Sequence, residues 1–276
     1  MQTIIEARDR WWKLNLQEVW AYRHLITLFA GRSLATMYKQ SILGPAWFLI
    51  QPLLSASVFY IVFGLLIRIS TGGMPHMLFY MSGMIFWYLF TNVFQQTAVS
   101  LAGNAHLYGK IYFPRLIMPL SYIVSGATLF CFNLVALLGF YLFYRWQGAP
   151  IAFQTQLLLT PLLVLQVVAA GLAFGLCVAA ATVRFRDIKY VLPTLIQFWM
   201  FMTPIFYSST RVSPPMLKYM YLNPIFAPVE YFRFAFSGLN PIGFEAFAPG
   251  IAITAGVLLL GLFWFNHAQR NFIDLV

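Results

Sequence analysis

The sequence predicts an all-α integral membrane protein with six transmembrane helices. Of its 276 residues, 61% are hydrophobic and only 9% are charged, whereas soluble domains carry about 25% charged residues. Long stretches contain no Asp, Glu, Lys or Arg, and roughly 20 uncharged apolar residues are enough for a helix to cross about 30 Å of hydrocarbon. These stretches predict spans at approximately 45–67, 77–102, 117–144, 156–183, 190–209 and 247–267.

The distribution of basic residues predicts the orientation, because Lys and Arg collect on the cytoplasmic side of membrane proteins. Six spans with the N-terminus inside place twelve of the seventeen basic residues on cytoplasmic segments. In a soluble protein a net charge of +10 would indicate a nucleic-acid partner, but here it marks the cytoplasmic connections. We therefore expect both termini in the cytoplasm, contacts with membrane lipids and no nucleic-acid partner.

The chain divides into a cytoplasmic arm, residues 1–38, and a transmembrane domain, residues 39–276. The arm lacks the apolar core and small-residue cleavage site of a signal peptide. Its apolar residues, such as Trp20 and Phe29, alternate with basic residues such as Arg23 and Arg32. This pattern is typical of an amphipathic helix that lies in the headgroup region, although a helix docked on a partner protein has the same pattern.

Residues 213–238 differ from every other connection between spans. They are too apolar for a solvated loop, and prolines such as Pro224 interrupt them too often for a span. Two short re-entrant helices fit this pattern, provided that their ends are buried in protein or face a cavity. Glu230 and Arg233 are three residues apart, so that they share a helix face and could pair. Such a pair would either hold the short helices together or contribute to gating or substrate contact.

The fourth predicted span carries a packing signal. Gly171 and Gly175 are four residues apart, and small residues at this spacing let two membrane helices approach closely. The spacing predicts a close helix contact on this face of the span.

The sequence contains no motif for catalysis, metal binding or ATP hydrolysis. Gly109 and Lys110 resemble the end of a phosphate loop, but Ile111 stands where Ser or Thr is needed and Gly103 is one position off. None of the seven acidic residues falls in the middle of a predicted span, which disfavours an ion-coupled carrier. We expect a transport subunit without an ATPase site, a metal or a bound cofactor of its own.

Five segments, in order along the chain, resemble permeases of the type-2 ABC exporters for polysaccharides and polyol phosphates. They extend from residue 38 to residue 233, and the six-span hydropathy covers most of the remainder. The segments are residues 38–47 with Gln51 and Pro52, residues 110–119, residues 183–188, residues 203–207, and Asn223 and Pro224 with Arg233.

The resemblance implies an O-antigen export permease of lipopolysaccharide biosynthesis, located in the bacterial inner membrane. Such a permease forms a homodimer with two copies of a separate ATPase, which holds ATP and Mg²⁺, and moves a lipid-linked glycan. The coupling surface for the ATPase is expected at Lys110, Tyr112, Phe113, Pro114, Arg115, Arg184, Arg186 and Asp187. The channel and its outer gate are expected at Tyr38, Lys39, Gln40, Trp47, Gln51, Pro204, Tyr207, Asn223, Pro224, Glu230 and Arg233.

Three alternatives stay open at this point. A permease of the same kind could export capsular polysaccharide or teichoic acid. A membrane-embedded enzyme acting on lipid-linked sugars would need acidic or histidine pairs near a membrane face, where the sequence offers only Glu230. A passive channel or an ion-coupled carrier is disfavoured by the missing intramembrane carboxylate.

Overall fold

The computed structural model describes residues 16–39, 41–185 and 187–271, and most of these residues are helical. Sequence predictions for the first part of the arm, and for Gln40 and Arg186, lie outside the described residues. The α-helices within the described part are α1 (Leu16–Ala21), α2 (Arg23–Tyr38), α3 (Trp47–Phe59), α4 (His76–Ala98), α5 (Ser100–Gly103), α6 (Ala105–Tyr108), α7 (Ile117–Trp146), α8 (Thr160–Arg184), α9 (Ile188–Met202), α10 (Pro214–Met220), α11 (Phe226–Ser237) and α12 (Phe247–Asn271).

Short turns of other helix types extend several of these elements. A π-helical segment, Tyr60–Leu66, continues α3 without a break. Short 3₁₀ segments precede α3, α8 and α12, and a fourth lies in the connection between α9 and α10. They are Gly44–Ala46, Thr155–Leu159, Phe244–Ala246 and Ser209–Arg211.

Five helical stretches within the described residues are long and apolar enough to cross a membrane, and each coincides with a predicted span. The protein is therefore a multi-pass membrane protein. The stretches are Gly44–Leu66, His76–Ala98, Ile117–Trp146, Thr155–Arg184 and Phe244–Gln269.

The fifth predicted span, residues 190–209, differs from the helix found there. α9 is apolar but has only 15 residues, which gives a length of about 22 Å at 1.5 Å per residue. It ends because Thr203 is extended, as expected for the residue before Pro204, where proline disfavours helical backbone. A crossing at this position therefore also needs the non-helical residues after α9, and the sixth span stays a prediction.

α4 lies at the centre of the bundle. Of its most apolar stretch, 83% is buried, compared with 17% for the Gly44–Leu66 stretch and 22% for the stretch containing α12. α7 and α8 pack on either side of α4, α12 packs on α8, and α2 packs on α7. The outer helices thus leave apolar faces exposed, as is appropriate for surfaces that meet lipid or another subunit.

The close helix contact predicted from Gly171 and Gly175 is the contact between α8 and α4. A Cβ atom on Gly175 would lie 2.6 Å from the Cβ of Thr97 and 3.1 Å from the carbonyl oxygen of Phe94. On Gly171 it would lie 3.0 Å from the carbonyl oxygen of Phe90. Small residues therefore let the two helix backbones approach each other at the centre of the protein.

Two short helices, α10 and α11, occupy the region predicted to be re-entrant. α10 is largely exposed, whereas α11 is almost completely buried against α4 and α8. α11 ends at Gly238, which adopts φ 77°, a left-handed conformation that glycine accepts without steric cost. Their position relative to the bilayer remains a prediction.

Candidate functional site

A cavity of about 630 Å³ lies between α3, α4, α7 and α9. This volume falls within the roughly 300–1,000 Å³ typical of ligand sites. Aromatic side chains, including Trp47, Phe48 and Trp87, form part of the wall. The polar residues of the wall are Gln51, Tyr88, Thr91, Asn92, Gln95, Asn133 and Gln197.

Helical spacing brings these side chains to the cavity from separate helices. Trp47 and Gln51 are four residues apart on α3, and Asn92 and Gln95 are three apart on α4, so that each pair shares one face. Gln197 extends the wall from α9. The packing of four helices therefore concentrates carboxamide groups that are scattered along the sequence.

Two of the carboxamides retain unused hydrogen-bonding capacity. Asn133 donates from Nδ2 to the carbonyl oxygen of Leu129 at 2.9 Å. The Oδ1 atoms of Asn133 and Asn92 are buried and have no hydrogen-bond partner among the described residues. An unsatisfied buried acceptor costs about 1–3 kcal/mol, so these two groups would be stabilised by any hydrogen-bond donor that reaches them when the side chains turn towards the cavity.

The channel residues predicted from the sequence fall into two groups. Trp47 and Gln51 line the cavity. Tyr38 lies at its edge, with its ring 5.9 Å from that of Phe48, and Lys39 is exposed next to it. The other described channel and gate residues lie near the C-terminal end of α9 instead. They are Pro204, Tyr207, Asn223, Pro224, Glu230 and Arg233.

Sequence reasoning missed most of the cavity wall. Asn92, Gln95, Asn133 and Gln197 were not predicted as channel residues, although each is a polar residue within a predicted span. Polar residues within apolar spans can be recognised in the sequence. Because they do not reveal which helices face each other, they could not place these side chains in one site.

At the other end of α9, Arg233 forms the centre of a buried polar cluster. It is 5% exposed, and its Nη1 lies 2.6 Å from the Oε1 of Glu230, so the pair predicted from the sequence is present. The second Glu230 oxygen accepts a hydrogen bond from Ser209. The guanidinium also donates to Ser82 Oγ and to the carbonyl oxygens of Phe79, Pro204 and Ile205. Together these acceptors use all five N–H donors of an arginine.

Two further features fit the guanidinium to this position. It lies over the ring of Phe79 at 3.6 Å from the centroid, a cation–π arrangement that strengthens when it is desolvated. Gly83 leaves the necessary space, because a Cβ there would lie 2.6 Å from the Nη2 of Arg233. Arg233 thus connects α11, α4 and the chain after α9.

Asn223 also stabilises the end of α9 through hydrogen bonds. Its Nδ2 donates to Thr203 Oγ1 at 2.8 Å, and its Oδ1 accepts from Trp199 Nε1 at 3.3 Å and from the backbone N–H of Ile225 at 3.1 Å. The adjacent Pro224 is buried, and Tyr207 is half-buried near the Glu230 side of the cluster. The predicted gate residues thus surround the residues that follow α9.

Phe206, within those residues, also contacts the Gly44–Leu66 stretch. Its ring lies 4.5 Å from that of Phe59 and 5.0 Å from that of Phe63. The cavity is lined by the first turns of α3 and by Pro193, Ile196, Gln197 and Met200 of α9, and Phe206 lies beyond the end of α9. Phe206 therefore connects the end of the Gly44–Leu66 stretch with the chain that follows α9.

The first connector, residues 110–115, docks on the described part of the arm. Tyr112 donates its hydroxyl hydrogen to Glu18 Oε1 at 2.8 Å. Phe113 is 4% exposed, and its ring lies 5.4 Å from that of Phe29 on α2 and 5.3 Å from that of Tyr108. Phe113 is thus a packing residue, whereas the ring of Tyr112 is exposed.

The other predicted coupling residues lie at the same end of the bundle. Lys110 is exposed and Pro114 half-buried, and the guanidinium of Arg115 lies 5.6 Å from the centroid of the Tyr108 ring. Burial lowers the pKa of Arg115 and raises the pKa of Tyr108, because desolvation disfavours the charged form of each.

The second connector, described at residues 184, 185 and 187, follows α8, where Val183 packs in one apolar cluster with Tyr108 and Leu116 on either side of the first connector. Thr182 at the end of α8 donates to the carbonyl oxygen of Ala98 at the end of α4, at 3.0 Å. Arg184 and Asp187 are exposed. The structure thus brings the described residues of both predicted coupling segments to one end of the protein.

Comparison with known proteins identifies relatives over most of the chain. A family model described as ABC-2 type transporter matches residues 24–237. The O-antigen export system permease protein RfbA of Klebsiella pneumoniae is 24% identical over 262 residues, covering 91% of this chain and 95% of that protein. The RfbA protein of Myxococcus xanthus is 26% identical over 213 residues, with coverages of 76% and 79%. The inner membrane transport permease YadH of Escherichia coli strain K12 is 26% identical over 202 residues, with coverages of 70% and 77%.

Proposed function

The chain belongs to the ABC-2 type transporter family, and from this premise we propose that it is the permease subunit of an ATP-driven exporter of lipid-linked polysaccharide. We propose that it works in the bacterial inner membrane, with both termini in the cytoplasm and O-antigen as the cargo. Its similarity to permeases named for O-antigen export supports the cargo. The observation that carries the proposal is the cavity of carboxamide and aromatic side chains between α3 and α9.

The chemistry of the cavity suits a sugar polymer. Each hydroxyl that enters hydrocarbon without a partner costs some 2–7 kcal/mol, so a glycan needs a polar path across the membrane. Side-chain amides offer both donors and acceptors to hydroxyl groups, and aromatic rings offer flat apolar faces. In this cavity Gln51, Asn92 and Gln197 supply the amides, and Trp47 and Phe48 supply the aromatic rings.

A homodimer would complete the path. The faces of α3 and α9 that point away from the bundle expose apolar side chains such as Leu54, Val58, Leu195 and Phe198. One chain provides a cavity with an open side, and a second copy could close it around an axis. This arrangement remains part of the proposal, as do the sixth span and the re-entrant position of α10 and α11.

The energy would come from a separate ATPase subunit that holds ATP and Mg²⁺. Lys110, Ile111 and Tyr112 form an exposed ridge on the first connector, and the second connector lies beside it. An ATPase pressing on this ridge would act directly on the first connector, which is packed against α2, and on the ends of α4 and α8. We therefore assign docking to the exposed ridge and force transmission to the buried Phe113.

The membrane-embedded enzyme is the weaker alternative. Its acid would have to be Glu230, but both carboxylate oxygens of that residue are hydrogen-bonded, one to Arg233 and one to Ser209. A carboxylate held in this way is a structural group rather than a proton donor for chemistry. Export of capsular polysaccharide or teichoic acid remains the alternative within the same class.

Purification of the tagged chain from its native membranes tests the proposal. We expect an ABC ATPase in equimolar amount, and we expect deletion of the gene to remove a surface polysaccharide while the polymer accumulates inside the cell. Recovery of the chain without an ATPase, or an unchanged cell surface in the deletion strain, would contradict the proposal.

A further inference from the structure

The described wall of the cavity combines apolar and polar side chains. Of the nineteen described residues that line it, none is Asp, Glu, Lys, Arg or His. Most of them come from predicted spans without Asp, Glu, Lys or Arg, but several of the seventeen basic residues of the chain lie close to the cavity along the sequence. Lys39 follows shortly after Met37, which lines the cavity, and Lys189 lies one turn before Pro193, which also lines it. Basic residues are therefore nearby but outside the wall.

We propose that this cavity accepts uncharged glycan segments and disfavours polyanionic ones. The inference rests on the proposed function and narrows its substrate class to neutral polysaccharides. Polymers with a phosphate or a carboxylate on each repeat, including teichoic acids and acidic capsules, would then be poor cargo for this chain.

The physical reason is the difference in desolvation between a hydroxyl and an anion. A sugar hydroxyl that leaves water can exchange its hydrogen bonds for bonds to the side-chain amides of Gln51, Gln95 or Gln197. A phosphate or carboxylate loses far more solvation and recovers it only when it is paired with a cation or strongly hydrogen-bonded. Because the described wall offers amides but no cation, it leaves an anionic repeat unpaired, and this unfavourable contact discriminates against polyanions.

The buried asparagines strengthen the assignment to a hydroxyl-rich ligand. Asn133 is 4% exposed and lines the cavity, and its Oδ1 has no partner among the described residues. Asn92 has the same unused acceptor on α4. When either side chain turns towards the cavity, a hydroxyl can donate a hydrogen bond to this acceptor, whereas an ionised phosphate or carboxylate has no hydrogen to donate.

Protection of a single cysteine from alkylation measures occupancy of the cavity directly. The complex of the chain with its ATPase, in lipid nanodiscs, carries Cys131→Ala and Cys177→Ala together with the reporter Gln51→Cys. The probes are a neutral glucose oligosaccharide and an oligogalacturonate of equal length, and the label is an uncharged maleimide. We expect the neutral probe to slow labelling about tenfold at saturation, equivalent to about 1.4 kcal/mol, and the anionic probe to leave the rate unchanged.

A charge introduced into the wall provides the converse test. Gln197→Lys should make the oligogalacturonate protective, because a cation now faces the cavity. Gln197→Leu removes the amide without adding charge and should not. A reporter at Ser213→Cys, on the exposed start of α10, should be labelled at the same rate with every probe.

The outcomes separate this inference from the proposed function. Equal protection by both probes would overturn the preference for neutral glycans and leave the exporter assignment intact. Protection by neither probe would also overturn the inference, because the cavity would not bind glycan. The exporter assignment itself is decided separately, by the associated ATPase and the surface polysaccharide of the deletion strain.

Discussion

Arg233 and Glu230 form a buried ion pair at 2.6 Å that fastens the end of α9 to the centre of the protein. The guanidinium binds the carbonyl oxygens of Pro204 and Ile205, which follow α9, and that of Phe79 on α4. Phe79 lies inside α4, whereas the carbonyls of Pro204 and Ile205 follow the last residue of α9 and lie outside a regular helix. The pair therefore replaces backbone hydrogen bonds that the interruption at Pro204 removes.

Breaking the pair on one side should destabilise the protein strongly. Arg233→Met leaves the Glu230 carboxylate buried without a counter-charge, and removing one partner of a buried pair costs about 3–5 kcal/mol. The double variant Glu230→Gln with Arg233→Met should recover part of this loss, because it removes the uncompensated charge. Thermal unfolding in nanodiscs measures both effects.

The matched control for this experiment is Arg211→Met, which removes an exposed arginine from the turn next to the cluster. It should shift the midpoint of unfolding little, since exposed substitutions usually stay within about 0.5 kcal/mol. Equal midpoints for the Arg233 and Arg211 variants would show that the buried pair does not hold α9 in place.

The contact between α8 and α4 gives a second prediction. Gly175→Ala places a Cβ 2.6 Å from the Cβ of Thr97, and overpacking of this kind costs about 1–3 kcal/mol. Gly139→Ala on α7 is the control, because a Cβ there meets nothing within 4 Å. We expect a lower unfolding midpoint for the first variant and an unchanged or higher one for the second. The reverse order would contradict the close approach of α8 to α4.

Hydropathy predicted the five long spans because a membrane span is a local property of the sequence. The spacing of Glu230 and Arg233 likewise predicted their pairing, since residues three apart share a helix face. The carbonyl partners of Arg233 could not be predicted, because they come from α4 and from the break after α9. The cavity was missed for the same reason: Gln51 and Gln197 line one cavity only because α3, α4, α7 and α9 assemble around it. The end of the helix α9 could not be read from hydropathy, because the apolar sequence of the predicted span continues past Pro204.

Phe206 should close the path beyond the cavity, where its ring packs against the end of the Gly44–Leu66 stretch. Phe206→Ala removes the ring between Phe59 and Phe63, and we expect proteoliposomes with this variant to leak a small hydrophilic dye faster than the parent. Since a buried Phe→Ala change can cost about 3–5 kcal/mol, Phe206→Leu serves as a milder variant with an intermediate leak. Leu259→Ala, on the exposed face of α12, should leave the leak unchanged. A parent-like leak in both Phe206 variants would contradict this closure.

Docking and transmission at the first connector can be separated by two variants. Ile111 is 58% exposed, so Ile111→Asp should reduce recovery of the ATPase about tenfold without changing the unfolding midpoint. Phe113 is buried against Phe29, so Phe113→Ala should lower the midpoint and uncouple ATP hydrolysis from export while the ATPase remains bound.

Ser213→Asp adds the same charge to the exposed start of α10, at the other end of the molecule, and should affect neither readout. The assignment of roles depends on the difference between the two connector variants. If Ile111→Asp retained the ATPase fully while Phe113→Ala lost it, docking would belong to the buried aromatic cluster instead. Tyr112, whose hydroxyl is bonded to Glu18, would then be the next residue to test, because Tyr112→Phe removes only that link between the arm and the connector.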